Sequence, residues 1–98
     1  MKYAVLFEDN DEFAHMRPKF MADHLQFLGD NSDRIDAAGP MKDGASGEPA
    51  GGLWIVEADD SQQVQALVEA DPFWPTGLRQ SIRILEWTRV YVDGKKMI

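Results

Sequence analysis

His24 is the residue of this sequence with the widest chemical reach. In the run Arg17-Pro18-Lys19-Phe20-Met21-Ala22-Asp23-His24-Leu25-Gln26-Phe27-Leu28 it shares helical spacing with Phe13, Met16, Phe20, Phe27 and Leu28. An imidazole on the inner face of a helix is costly unless a partner or a pocket receives it. It is also the side chain that changes charge near neutral pH. Two readings follow: a hydrogen-bonded core histidine, or a general acid–base group. The only other histidine, His15, lies nine residues earlier, off the apolar stripe, at a spacing that serves no shared metal ion. Asp9-Asn10-Asp11-Glu12 lacks the glycine and distal glutamate of a calcium loop. No glycine-rich phosphate or dinucleotide pattern occurs, and no Gly-x-Ser-x-Gly elbow. Cysteine is absent, which removes disulfides, thiolate metal sites and cysteine nucleophiles. Chemistry without a metal is the expectation.

The elements that must position His24 belong to one domain, residues 1–98. A chain this short buries only about two-thirds of the surface its unfolded form exposes, so association would add burial that one copy lacks. The formal charge is −7, from 10 basic and 17 acidic residues. A field of that sign repels phosphate backbones and argues against nucleic-acid binding. No apolar run approaches the roughly 20 residues of a membrane helix. The start, Met1-Lys2-Tyr3-Ala4-Val5-Leu6-Phe7-Glu8, is too short for a signal peptide and reads as a strand, so the cytoplasm is the expected location.

Residues 2–8 form the first expected strand, followed by a turn at residues 9–12. Pro18 conflicts with a continuous helix from Phe13 to Leu28. Either the helix starts with Pro18 in its first turn, after a separate turn, or it is kinked; the first is preferred. Gly29-Asp30-Asn31 ends it. Arg34–Ala38 is a weak second strand stopping at Gly39-Pro40. Residues 39–52 hold five of the eight glycines and read as a long loop, exposed or closing as a lid. Leu53–Ala58 is the third strand. Asp59–Gln63 carries an N-cap with glutamine three residues on, opening a helix with Val64, Leu67 and Val68 on one side. It stops at Asp71-Pro72, where an isolated Asp-Pro is ordinarily a helix stop with a local cap. Phe73–Leu78 is a tight aromatic connection, and Ser81–Trp87 the last core strand. Thr88–Val92 extends that strand or forms a tail, with a turn at Asp93-Gly94.

The order strand, helix, strand, strand, helix, strand is that of a ferredoxin-like α+β sandwich, a four-stranded antiparallel sheet with two helices on one face. Both faces of the strands are apolar. Val5 and Phe7 oppose Ala4 and Leu6; Trp54 and Val56 oppose Leu53 and Ile55; Ile82 and Ile84 oppose Leu85 and Trp87. Two helices cover one face, and a second copy of the chain is expected on the other, giving a homodimer. Trp54 and Trp87 are read as core or interface rather than as ligand platforms.

Three stretches carry a family resemblance: Arg17-Pro18 followed by His24-Leu25, then Ala38-Gly39-Pro40-Met41, then Ala70-Asp71-Pro72-Phe73 with Gly77-Leu78. Together they resemble the YCII-related (YciI-like) family of the dimeric α/β-barrel superfamily, over nearly the whole chain. The resemblance implies a ferredoxin-like unit dimerising through its sheet. It also implies a His24-Asp71 catalytic dyad performing cofactor-independent hydrolase or lyase chemistry on small molecules, dehalogenation included. A neutral imidazole takes a proton near pH 7, and a carboxylate on its other nitrogen fixes the tautomer and stabilises the cation. Arg17 is the candidate for an anionic substrate group. Gly39, Pro40 and Phe73 are the candidate pocket walls, with Gly39-Pro40 otherwise a plain turn. The segment Asp43–Glu48 matches no family pattern, so no substrate carries over. The rival function is a non-catalytic module that binds an unidentified small ligand in the same pocket; a third is an accessory protein that recruits another chain.

Overall fold

Alternation of inward Tyr3, Val5 and Phe7 with outward Ala4 and Leu6 makes β1, Lys2–Asp9, the centre of the sheet. The computed structural model describes residues 1–98. After β1 a short 3-10 turn spans Asp11–Phe13, and α1 then runs from Met16 to Asp30. Pro18 therefore sits in the first helical turn, where a missing N–H costs nothing, and the kinked alternative is not adopted. At the other end Asn31 closes α1 by donating its side-chain amide to the Phe27 carbonyl at 2.8 Å.

Strands β2, Ile35–Lys42, and β3, Pro49–Glu57, come next, then α2, Ser61–Ala70, and β4, Arg79–Glu86. A small hairpin of β5, Tyr91–Val92, and β6, Lys95–Lys96, follows, turning at Asp93-Gly94 as expected. The main sheet has the order β2-β3-β1-β4, with every pair antiparallel. This is the expected ferredoxin-like fold. The cap of α2 is reciprocal: Asp60 accepts from Gln63 N at 2.9 Å, and Gln63 Oε1 accepts from Asp59 N at 3.1 Å. Asp71 ends the helix with extended backbone (φ −65°, ψ 133°), as the following proline requires.

Two sequence expectations need correction. Residues 39–52 are not a long loop or a lid. β2 continues through Gly39 and Pro40 to Lys42, β3 begins at Pro49, and only Asp43–Glu48 connects them. The proline is tolerated because β2 is an edge strand, with no neighbour on its far side to receive a hydrogen bond. The connection is tied by Asp43, whose carboxylate accepts from the Ser46 and Ala45 amides, bonds that hold it below the usual carboxylate range. The last strand, expected at Ser81–Trp87, begins two residues earlier at Arg79. The reason is a register shift between Glu8 and Asp9, which leaves Gln80 unpaired and sets Asp9 opposite Arg79.

The core lies between the sheet and the helices. Tyr3, Val5, Phe7, Trp54 and Val56 from the sheet meet Val64, Leu67 and Val68 of α2. From α1 only His24 is fully buried, while Phe27 and Leu28 pack at the margin. This helix thus stands off the sheet around its one buried polar side chain. The opposite face of the sheet carries Ala4, Leu6, Leu53, Ile55 and Leu85, with no element of the same chain over it.

Candidate active site

Forty-seven positions separate His24 from Asp71, yet α1 and the end of α2 bring them together: His24 Nδ1 lies 2.8 Å from Asp71 Oδ1. Both are buried, at 6% and 2% exposure. The same carboxylate oxygen accepts the Phe73 backbone N–H at 3.1 Å. An ionised carboxylate only accepts, so Nδ1 is the donor of this pair, which in a neutral ring leaves the lone pair on Nε2. Nε2 has no protein partner and is not among the enclosed polar atoms, so it reaches the cleft beside it. Phe73 stacks on the imidazole, ring centroids 4.1 Å apart at 15°. Carboxylate and phenyl ring together fix the imidazole's direction.

The cleft between α1 and the sheet has a volume of about 80 Å³ and is lined by His24, Arg17, Gly39, Pro40, Trp54 and Arg79, among others. Of the residues expected from sequence, His24, Arg17, Gly39 and Pro40 share it. Asp71 and Phe73 are not part of its lining; they support the imidazole from behind. Trp54 is core, as read, but also forms part of the cleft wall. Arg17 and Pro40 also line a neighbouring cavity of about 260 Å³, so the two spaces share a wall.

Two residues of the site were not expected from sequence: Arg79 and Asp9. Arg79 Nη1 donates to Asp9 Oδ1 at 3.0 Å, and Arg17 Nη2 donates to Asp9 Oδ2. One carboxylate thus serves two guanidinium groups. Burial pushes Arg79 below its usual value, opposed by the charge of Asp9. Arginine nevertheless remains protonated at any working pH. The cleft therefore holds two fixed cations in a chain of net charge −7. No group of three or more His, Cys, Asp or Glu side chains gathers as metal ligands.

A family model described as the YCII-related domain matches residues 1–88. The chain belongs to the YCII-related family. A comparison of this YCII-related chain with curated protein sequences finds no match. Among solved structures it is similar to 5-chloro-2-hydroxyhydroquinone dehydrochlorinase (TftG) from Burkholderia phenoliruptrix AC1100 in complex with 2,5-dihydroxybenzoquinone. The two are 26% identical, with 90% of this chain and 94% of that chain covered and a TM-score of 0.78.

The hydrogen bonds make a direct prediction for Asp71. In Asp71→Asn the amide oxygen is held toward Phe73 N–H, so it still accepts from Nδ1, and the imidazole keeps its tautomer. In Asp71→Ala two buried donors lose their acceptor, at a cost of about 2–5 kcal/mol. Nitrogen-15 shifts of the His24 ring should thus be conserved in the first variant and altered in the second. Equal stability of the two variants would contradict this geometry.

Proposed function

We propose that the chain is a small-molecule enzyme of the lyase type in which His24 acts as general base, oriented by Asp71. The observation that carries this reading is a buried imidazole with Nδ1 bonded to a carboxylate and Nε2 reaching a cleft. The dehydrochlorinase activity named for the similar protein supports the reaction class.

In the proposed step Nε2 takes a proton from the substrate. The electron pair left behind enters the adjoining π system, the bond to the leaving group breaks, and that group departs with its pair. The imidazolium formed is stabilised by the Asp71 carboxylate and returns its proton to solvent. The cleft alone is small for a ligand pocket, whose volumes run from about 300 to 1,000 Å³. The adjoining cavity past Arg17 and Pro40 supplies room for the body of the substrate. The assay is chloride release from chlorinated hydroxyhydroquinones, with dechlorinated product followed by mass spectrometry. Release at the rate of the protein-free control across the panel would overturn the dehalogenating form of the reading.

A homodimer belongs to the same reading. Only 14 of 98 residues are buried in the single chain, too small a core to leave a second apolar face in water. That face bears an open groove of about 340 Å³ lined by Ala4, Leu53, Ile55, Leu85, Glu86 and Trp87. An apolar face matches itself across a two-fold axis, which makes a second copy the fitting occupant. Light scattering should give twice the 11.1 kDa chain mass, and Ile55→Arg should return it to the single mass. A wild-type mass of one chain at micromolar concentration would refute the dimer.

A further inference from the structure

Proton abstraction by His24, with Asp71 orienting the ring, leaves Arg79 without a task, although its guanidinium is buried in the site. Its side chain is 3% exposed. Its Cζ lies 4.1 Å from the Phe7 ring centroid and 5.3 Å from that of Phe73, so the guanidinium rests among aromatic rings beside the cleft. Nη1 is used by Asp9. Nε is enclosed and has no partner within the protein, the one buried side-chain polar atom so placed. Nη2 has no protein partner either, but is not enclosed. Nε and Nη2 form the side edge of the guanidinium, which takes a planar oxyanion through two parallel N–H donors. The second oxygen of Asp9 is occupied by Arg17, so Asp9 cannot turn to fill that edge without breaking its other pair.

Strand β3 is shaped for this arrangement. Gly52 faces Arg79, and a Cβ there would lie 3.3 Å from Nη1 and 3.4 Å from the Gly39 carbonyl oxygen. The bare backbone leaves room for the guanidinium beside β3. On the other side the register shift in β4 brings Arg79 opposite Asp9. Two local features thus converge on one buried cation whose free edge nothing in the chain satisfies.

We propose that the Nε–Nη2 edge of Arg79 holds a planar organic oxyanion beside His24, so that the ligands of the cleft are ionised enols, phenols or carboxylates. This rests on the cleft being the reaction site. It adds the substrate's charge and the group that reads it. In an elimination, negative charge spreads onto an oxygen conjugated with the carbon that loses its proton. A fixed guanidinium at that oxygen stabilises the charge as it develops.

The test is calorimetric binding at constant ionic strength, with benzoate as carboxylate, 2,5-dihydroxybenzoquinone as ionised enol, and benzamide as the uncharged counterpart of benzoate. Wild type should bind at least one anion about tenfold or more tightly than benzamide. Arg79→Gln should weaken that anion by about 10- to 100-fold and leave benzamide unchanged. Arg79→Lys keeps a charge near Asp9 but lacks the fork, and should fall well below wild type. The Arg79 Nε–H resonance of the wild-type protein should move on anion addition, a readout that needs no variant to fold. The better-bound anion tells a carboxylate from an enol ligand. Anion binding no tighter than benzamide, equal anion binding by Arg79→Gln, or an unmoved Nε–H resonance at saturation would each overturn the assignment. Binding is read without turnover, so a failure here with turnover still dependent on His24 removes Arg79 alone. Intact anion binding with turnover independent of His24 removes the dyad alone.

Discussion

Replacing His24 by Asn is expected to lower turnover by about 10²- to 10⁴-fold, the range of general-base contributions, while the fold survives. Asn is chosen because its side-chain NH₂ reaches the position of Nδ1. It can still donate to Asp71 Oδ1, which His24 Nδ1 approaches at 2.8 Å. The buried carboxylate thus keeps a donor in addition to the Phe73 amide. What Asn lacks is any atom in place of Nε2, the only ring nitrogen free to meet a ligand. The stacking with Phe73 is also lost, and that costs about 0.5–1.5 kcal/mol, small beside whole-chain stability. Chloride release gives the rate and thermal unfolding gives the control. A folded variant that turns over within threefold of wild type would remove His24 from the chemistry. A truncation such as His24→Ala is less informative, because it leaves Asp71 buried without its side-chain partner and mixes lost stability with lost function.

His24 was legible in the sequence because helical periodicity alone sets it on an inner face, and the structure has it as the only fully buried residue of α1. Asp71 was legible in another way: Asp-Pro fixes where α2 stops, and the family resemblance supplied its partner. The pair closes where the end of one helix passes the middle of another. Arg79 and Asp9 were not legible. They are 70 residues apart, and their meeting depends on a register shift of one residue in β4, for which the chain carries no local mark. Without that shift Arg79 reads as the end of a connection. The β2–β3 hairpin was hidden for the opposite reason, since glycine and proline punctuate loops far more often than they occupy strands. In Pro40 the exception is the edge position of β2. The overall order of elements survived these errors because alternation in β1 and β3 and the caps of the helices are strong local signals.

The second large effect belongs to that hairpin. Gly51→Ala should destabilise the chain by at least about 3 kcal/mol, which places it among the exceptional single substitutions. Gly51 has φ +82°, a backbone conformation that alone costs an L-residue roughly 1–2 kcal/mol. A Cβ at this position would lie 1.8 Å from the Phe7 carbonyl oxygen and 2.9 Å from its carbon. Those atoms belong to β1, at the centre of the sheet, and cannot step aside as the end of a flexible side chain can. Relief requires β3 to part from β1 at Phe7, whose register partner is the adjacent Gly52. That movement reaches the site directly, because Phe7 supports the guanidinium of Arg79 at 4.1 Å. For a domain of this size each kcal/mol shifts the unfolding midpoint by about 4–8 °C, so a fall of 12 °C or more is the expected reading. Gly44→Ala is the matched control: its Cβ meets nothing within 4 Å, and its φ is not positive. Equal midpoints for the two variants would mean that β3 does not approach β1 at Gly51 as described. A depressed midpoint for Gly51→Ala alone would establish that this glycine is held by the sheet beneath the cleft and not by the freedom of a loop.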